Sequence, residues 1–248
     1  MPTQFLDILP DPTYGITDAG FSGGTVGQPF ASVKFSQVSK RTGSRTISGK
    51  YVTRTIDYPT WEINITYNPM TRAQFDPIYN FLIEKRGSLK PFFVSLPQYT
   101  LPANSLFRNT VETGFITLWV LDNPAPAGST SLEITDVTQW ASNDYSTTGL
   151  PEAGDLFTLD STHNSAHTKA YMVTHVETYN DYQTGNQPTD KSVRIHFTPG
   201  LQALAGQPTE VIFDTPLIRV IQKQNIRSYA LGNNNLYSFS LSLKEAIY

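Results

Sequence analysis

No cysteine occurs among the 248 residues. That absence excludes a disulfide framework, a Cys-ligated zinc and a thiol nucleophile together. No run approaches the ~18 apolar residues that a membrane-spanning helix needs. The opening stretch, MPTQFLDILPDPTYG, lacks a basic segment followed by a long apolar one, so a secretory signal is not expected. Net charge is only −3, so bulk electrostatics announce no affinity for nucleic acid. Strong helix formers are scarce, whereas Thr, Ser, Asn, Tyr and Phe are frequent. That balance favours a mainly β chain.

The modest net charge conceals a split. Val111 to Thr215 carries a net charge of −10, and Ala31 to Arg108 a net charge of +7. So sharp a change of sign points to two separately built units. It also gives copies of the chain a way to attract one another, acidic part to basic part.

One helix is written clearly, between Asn68 and Pro97. Phe75, Ile78, Tyr79, Leu82 and Ile83 recur at helical spacing and place one apolar stripe. Arg72, Asn80, Glu84 and Lys85 are left for other faces. Thr71 and Gln74 form a T-x-x-Q capping box, with Met70 placed to staple onto Phe75. Lys85, Arg86 and Gly87 mark the stop, giving a helix over 71–86. Pro77 removes one early hydrogen bond and predicts a kink or a late start. The rest reads as β, with this helix plugging an open side of a barrel or sheet.

Around the helix the pattern has period two. Phe30–Val38 and Thr46–Ile56 read as strands joined by a polar, basic loop, SKRTGSR. Trp61, Ile63, Ile65 and Tyr67 alternate with polar residues, as do Tyr237, Phe239, Leu241 and Leu243. Lys90–Leu96 and Leu217–Gln222 read as further strands. From Ser95 to Asn109 the pattern loosens. Short strands then follow at Phe115–Leu121, Ser131–Ile134, Asp155–Leu159, Ala170–Glu177, Ser192–Thr198 and Thr209–Phe213, between turns rich in Pro, Gly, Asn and Asp. The predicted organisation is an N-terminal arm (1–24), a discontinuous β domain with its helix (25–98 and 216–248), and an inserted acidic β-barrel or sandwich (99–215). The arm holds Phe5, Leu6, Ile8 and Leu9, too apolar for a free tail, and is expected to lie on a neighbouring subunit.

Motifs for chemistry are sparse. His163 and His167 stand in D-S-T-H-N-S-A-H near Asp160, and H-x3-H on a helix can hold a metal. Position 164 is Asn, which removes the H-E-x-x-H base, and the composition reads as a solvated loop. Asp155 with Asp160, or Asp181 with Asp190, are candidate carboxylate pairs for a hydrolase, yet all lie near turns that favour Asp anyway. No nucleophile elbow or phosphate-cradling loop is present. Trp119 and Trp140, with Tyr145 and Tyr182, are candidates for stacking on a sugar. Lys34, Lys40, Arg41, Arg45, Lys50 and Arg54 form a basic run with no acid among them. Such a run fits DNA phosphates or an acidic neighbour, and docking on a neighbour is the reading favoured. No cofactor, metal or catalytic residue is expected.

Two segments, AQFDPIYNFLIEKRGSLKPFFVSLP and LYSFSLSLKEA, together with the Trp61–Tyr67 strand, cover about one sixth of the chain. In shape and order these resemble the tail-tip proteins of long-tailed phages, the minor and distal tail proteins. The resemblance implies a tail-tube-like β-sandwich or barrel with a flanking helix, and no catalytic residues. It implies a structural protein of the virion tail, assembled in the host cytoplasm into a ring, commonly a hexamer. Such a ring links the tail tube to baseplate or fibre proteins, with DNA only as passing cargo and no membrane partner. Lys40, Arg41, Arg45, Lys50, Phe5 and Leu9 are the expected subunit contacts. The long acidic block departs from the simplest members. A host-glycan-binding module and a cell-wall or capsule hydrolase are the alternatives.

Overall fold

The computed structural model describes residues 7–12, 27–55, 59–112, 118–120, 124–135, 149–161, 167–178, 181, 192–206, 209–224, 229–232 and 234–246. In chain order the strands and helices are β1 (Phe30–Val38), β2 (Arg41–Arg45), β3 (Tyr51–Thr55), β4 (Thr60–Tyr67), α1 (Arg72–Glu84), β5 (Phe92–Ser95), α2 (Ser105–Glu112), β6 (Leu118–Val120), β7 (Ser131–Thr135), β8 (Leu156–Ser161), β9 (Ala170–Thr178), β10 (Val193–Thr198), β11 (Thr209–Ile212), β12 (Leu217–Gln222), β13 (Ala230–Leu231), β14 (Tyr237–Ser238) and β15 (Ser240–Glu245). The fold is mainly β with a flanking helix. The chain divides into two compact units, one formed by Met1–Val94 with Arg219–Tyr248, the other by Ser95–Ile218.

The first unit is a five-stranded sheet in the order β1-β4-β15-β12-β5. Alternation in β4 buries Trp61, Ile63, Ile65 and Tyr67 and leaves Asn64 and Thr66 exposed. Register matches it in β15, where Leu241 faces Ile65 and Leu243 faces Ile63. Both members of each pair are buried, so a slip by one residue would turn the whole set outward. Helix α1 covers the apolar face. Phe81 meets Phe92 edge-on at 5.4 Å, and Phe75 meets Phe239 at 5.9 Å. The buried Gln222 side chain donates to the Leu82 carbonyl at 3.0 Å.

At its start the helix follows the capping signal: the Thr71 N–H donates to Gln74 Oε1 at 2.9 Å. The helix begins five residues ahead of Pro77 rather than after it. Proline then costs only its own N–H bond, the one to the Ala73 carbonyl, near the end where few bonds are lost. Arg86 and Gly87 turn the chain with positive φ of 51° and 70°, and glycine takes that geometry without strain.

The buried stripe is rotated from the one the spacing suggests. Phe75, Ile78, Phe81 and Leu82 are buried, whereas Ile83 is 45% exposed. Continuing the stripe by three or four residues arrives at Lys85, which is 1% exposed. A buried ammonium needs a counter-charge. Asp7 supplies it, its Oδ1 2.7 Å from Lys85 Nζ, while the Phe81 ring lies 4.7 Å from the same nitrogen. Asp7 is held by backbone: Phe93 N–H donates to the Asp7 carbonyl at 3.0 Å, and Leu9 N–H donates to the Phe93 carbonyl at 2.8 Å. Ile8 and Leu9 are consequently buried in their own chain's core at 4% and 0% exposure. Leu9, expected on a neighbouring subunit, is therefore an intramolecular core residue; Phe5 lies outside the described residues.

The second unit is a closed six-stranded barrel in the order β10-β7-β6-β11-β8-β9. Inward residues Leu118, Val120, Leu132, Ile134, Phe157, Tyr171, Val193, Ile195 and Phe197 fill it, as expected of a small barrel packed with its own side chains. Helix α2 corrects the expectation of a single helix. Its start is marked by Asn104, whose Oδ1 accepts from the N–H groups of Leu106 (3.0 Å) and Phe107 (3.3 Å). It contributes one large side chain, Phe107, whose ring meets Phe213 at 5.1 Å. A helix with one buried residue has almost no apolar stripe, and the stretch therefore reads as loop in the sequence.

The Lys85–Asp7 pair gives a direct test. Asp7→Asn leaves the buried Lys85 with only the longer contact to Glu84, at 3.9 Å, and should cost about 1–3 kcal/mol in urea unfolding, less than for a fully buried pair because Asp7 is half exposed. Adding Lys85→Met to that variant should recover most of the loss. A double variant no more stable than the single one would show that the pair is not what holds this segment.

Candidate functional site

The basic run forms a hairpin rather than a strand preceded by a loop. Arg41–Arg45, expected as connecting loop, is itself β2, paired with β3 from Arg41↔Thr55 to Arg45↔Tyr51. Strand β1 pairs with β4 instead, ending at Val38↔Thr60. The turn sits at Ile47–Gly49. Gly49 N–H donates to the Thr46 carbonyl at 2.8 Å, and Thr46 N–H to the Lys50 carbonyl at 2.9 Å. Gly49 has φ +84°, the left-handed residue that a three-residue hairpin loop requires. The Thr46 hydroxyl also accepts from Lys50 N–H at 3.1 Å. Local bonding alone thus explains the hairpin.

Among the described residues of the first unit, none buries it. Every residue of β2 is exposed, as are Tyr51 to Arg54 of β3. Opposed residues share a face, so Arg41, Gly43, Arg45 and Tyr51 lie on one side, and Thr42, Ser44, Val52 and Arg54 on the other. The space above Gly43 is taken by the Tyr51 hydroxyl end, 2.4 Å from where a β-carbon would stand. Arg45 Nε donates to the Gly49 carbonyl at 3.3 Å. Among the described residues no carboxylate pairs with Arg41, Arg45, Lys50 or Arg54. Ile47 at the tip is wholly exposed, and Tyr51 and Val52 are 67% and 48% exposed. Four cations without carboxylates, with apolar groups between them, are a surface suited to an acidic partner rather than to catalysis.

The other candidates separate. His167 is not a solvated loop histidine. It is buried, its Nε2 lies 2.9 Å from the Leu204 carbonyl, and burial pushes its pKa down. His163 lies outside the described residues, and among those described no group of three His, Asp or Glu is placed to hold a metal. Asp155 is buried and occupied by backbone, with Oδ1 accepting from Ala103 N–H and Oδ2 from Glu152 N–H, both at 2.8 Å. Asp160 faces Glu210 across β8 and β11, and burial together with that neighbouring charge raises the Glu210 pKa. Asp181 caps the end of β9, taking bonds from the Thr178 hydroxyl and N–H that hold its carboxyl below the usual range. Asp190, Trp140, Tyr145 and Tyr182 lie outside the described residues. Trp119 belongs to β6, between Glu210 and Thr135.

One constellation was missed in the sequence. On the outer wall of the barrel, Ser131, His196 and His175 stand in one cross-strand row, with Glu133, Arg194 and Glu177 in the next. Arg194 reaches Glu133 at 2.7 Å and Glu177 at 3.6 Å, and His196 Nε2 lies 3.1 Å from Glu177. The His175 and His196 rings are 5.7 Å apart. The signal was the alternation V-R-I-H-F-T, in which Val193, Ile195 and Phe197 fill the barrel and Arg194, His196 and Thr198 lie on its wall. A cleft of about 350 Å³ lined by Ser129, Ser131, Glu133 and Arg194 adjoins it. Its charges are already paired within the wall, which makes it a stabilising network first.

No protein-family model matches the chain, and no curated protein matches it in sequence. Among the described residues no helix is long and apolar enough to cross a membrane.

The wall network should show in acid. Glu177 is held below the ordinary glutamate value of 4.5, first by its bond to His196 and then by the neighbouring cations. A carboxyl depressed in the folded state stabilises it above the unfolded value, and that contribution is lost as pH falls through the folded one. Glu177→Gln should therefore lower the barrel's melting temperature by more at about pH 7 than at about pH 3. An equal deficit at both would assign the loss to packing.

Proposed function

We propose that this protein is a structural component of a phage tail tip or baseplate. It self-assembles into a ring, a distal-tail or adaptor ring, that joins the tail tube to baseplate or fibre proteins. The observation that carries this reading is the β2–β3 hairpin. It is a locally bonded ribbon with four cations that, among the described residues, no carboxylate meets, on a chain whose segment Val111–Thr215 bears a net charge of −10. A chain with its own surplus of both signs has a partner in a second copy of itself. The resemblance of the α1 segment and the closing strand to tail-tip proteins supports the same role, as does a mainly β fold with a flanking helix. In this reading the ring is hexameric, the chain resides in the virion tail after assembly in the host cytoplasm, and DNA passes through without being recognised. It performs no catalysis.

The mechanism is geometric. The hairpin clasps the next subunit, its exposed tip Ile47 and ring of Tyr51 adding apolar contact to charge. Closed rings arise when the same contact repeats with a rotation that returns to the start. Charge reversal at Arg41, Arg45 and Lys50 to Glu keeps the ribbon but opposes the contact. Wild-type protein should give rings with countable subunits in negative stain, and the triple variant should run as a folded monomer on a sizing column with unchanged circular dichroism. Rings that survive the reversal would overturn the role of the hairpin; a wild type that is monomeric at all concentrations would overturn the ring.

A further inference from the structure

A cleft of about 480 Å³ lies in the first unit beside the closing hairpin, lined by Thr66, Pro69, Tyr229, Ser238, Phe239 and Ser240, with Tyr67 and Ala230. None of these side chains carries a formal charge. Thr66 and Ser240 are cross-strand partners on β4 and β15, and Ser238 lies two residues before Ser240; all three hydroxyl residues are exposed. Tyr229 is 50% exposed although its ring is held firmly. It packs against Phe75 at 5.1 Å, Tyr237 at 5.5 Å and Tyr79 at 5.6 Å. Behind it Phe75 stacks on Tyr237 at 4.7 Å and 12°, and on Tyr79 at 5.0 Å and 24°. A half-exposed aromatic locked by three others is preorganised, so little rotamer freedom is lost when something stacks on it.

The lining selects among ligand classes. Among the described residues it offers no cation to a phosphate or carboxylate and no anion to an amine. It offers apolar faces from Tyr229, Phe239 and Pro69 next to three hydroxyls, each of which both donates and accepts. A pyranose ring has the matching pattern, with a C–H face on one side and a rim of hydroxyls. The volume lies within the range of small-ligand sites. We propose that this cleft binds a neutral saccharide, with Tyr229 as the stacking platform and Thr66, Ser238 and Ser240 bonding to sugar hydroxyls. Glycan binding is thereby assigned to the first unit rather than to Trp119 and Trp140, and stands whether or not the chain forms rings.

Saturation-transfer NMR on the full chain tests it, with maltotriose, chitotriose, mannotriose and the anionic sialyllactose as probes. At least one neutral trisaccharide should receive saturation and sialyllactose should not. Tyr229→Ala should weaken the responding sugar by about tenfold or more, and Tyr229→Phe should retain it. Tyr229→Phe should melt like the wild type, and Tyr229→Ala, which loses three ring contacts, should melt lower but keep the wild-type circular dichroism at the temperature of the assay. No response from any neutral sugar, equal binding by Tyr229→Ala, or stronger binding of sialyllactose would overturn the proposal. So would a Tyr229→Ala variant that loses rings seen with the wild type, since the cleft would then be a seam between copies.

Discussion

Strand β15 lies at the centre of the five-stranded sheet, bonded to β4 on one side and to β12 on the other. The sheet cannot exist without it, because its removal separates β1 and β4 from β12 and β5. The buried Glu245 carboxylate accepts the Trp61 N–H at 3.1 Å across 184 residues of sequence. Leu241 and Leu243 complete the apolar face that α1 covers. The first unit is thus finished only when the end of the chain returns to its beginning. Contacts of such long sequence separation fold slowly, since loop closure precedes any gain from pairing. The barrel, by contrast, is built wholly from residues between Ser95 and Ile218 and has no such dependence on the chain's ends.

How much was legible follows from this. Local signals read correctly: the alternation of β4 and β15, the Thr71–Gln74 cap, the glycine stop, and the barrel strands between their turns. Each depends only on neighbours in sequence. What was hidden depended on distant ones. Lys85 reads as a polar surface residue until Asp7, far off in sequence, is seen to neutralise it. The stripe of α1 was misplaced by about one residue because the spacing alone admits Ile83, and only the position of the sheet selects Phe81. The charge of the Arg41–Arg45 stretch was plain, yet its strand character was obscured by polar composition. Helix α2 carried a signal in Asn104, but a single buried phenylalanine is too little periodicity to notice.

The candidate surfaces divide in the same way. The basic hairpin was visible as a run of charge, because a hairpin keeps its residues together. The Tyr229 cleft was not, since Thr66 and Ser240 meet only through strand pairing and Tyr229 is held by rings distant in sequence. The Glu133–Arg194–Glu177 network was likewise invisible until three strands were placed in register. Acidic residues that invited a catalytic reading proved to be engaged with backbone at turns, as with Asp155 and Asp181. Local bonding accounts for the positions of those two.

Strands β5 and β12 are neighbours in the sheet, and the barrel's chain leaves from the end of one and returns at the start of the other. None of the pairings among β1, β4 and β15 uses a residue of the barrel. The junction is therefore a socket. Over evolutionary time a different module, or a plain loop, can occupy it without changing any of those pairings. Related chains with the same sheet and unrelated inserts are what such an arrangement permits.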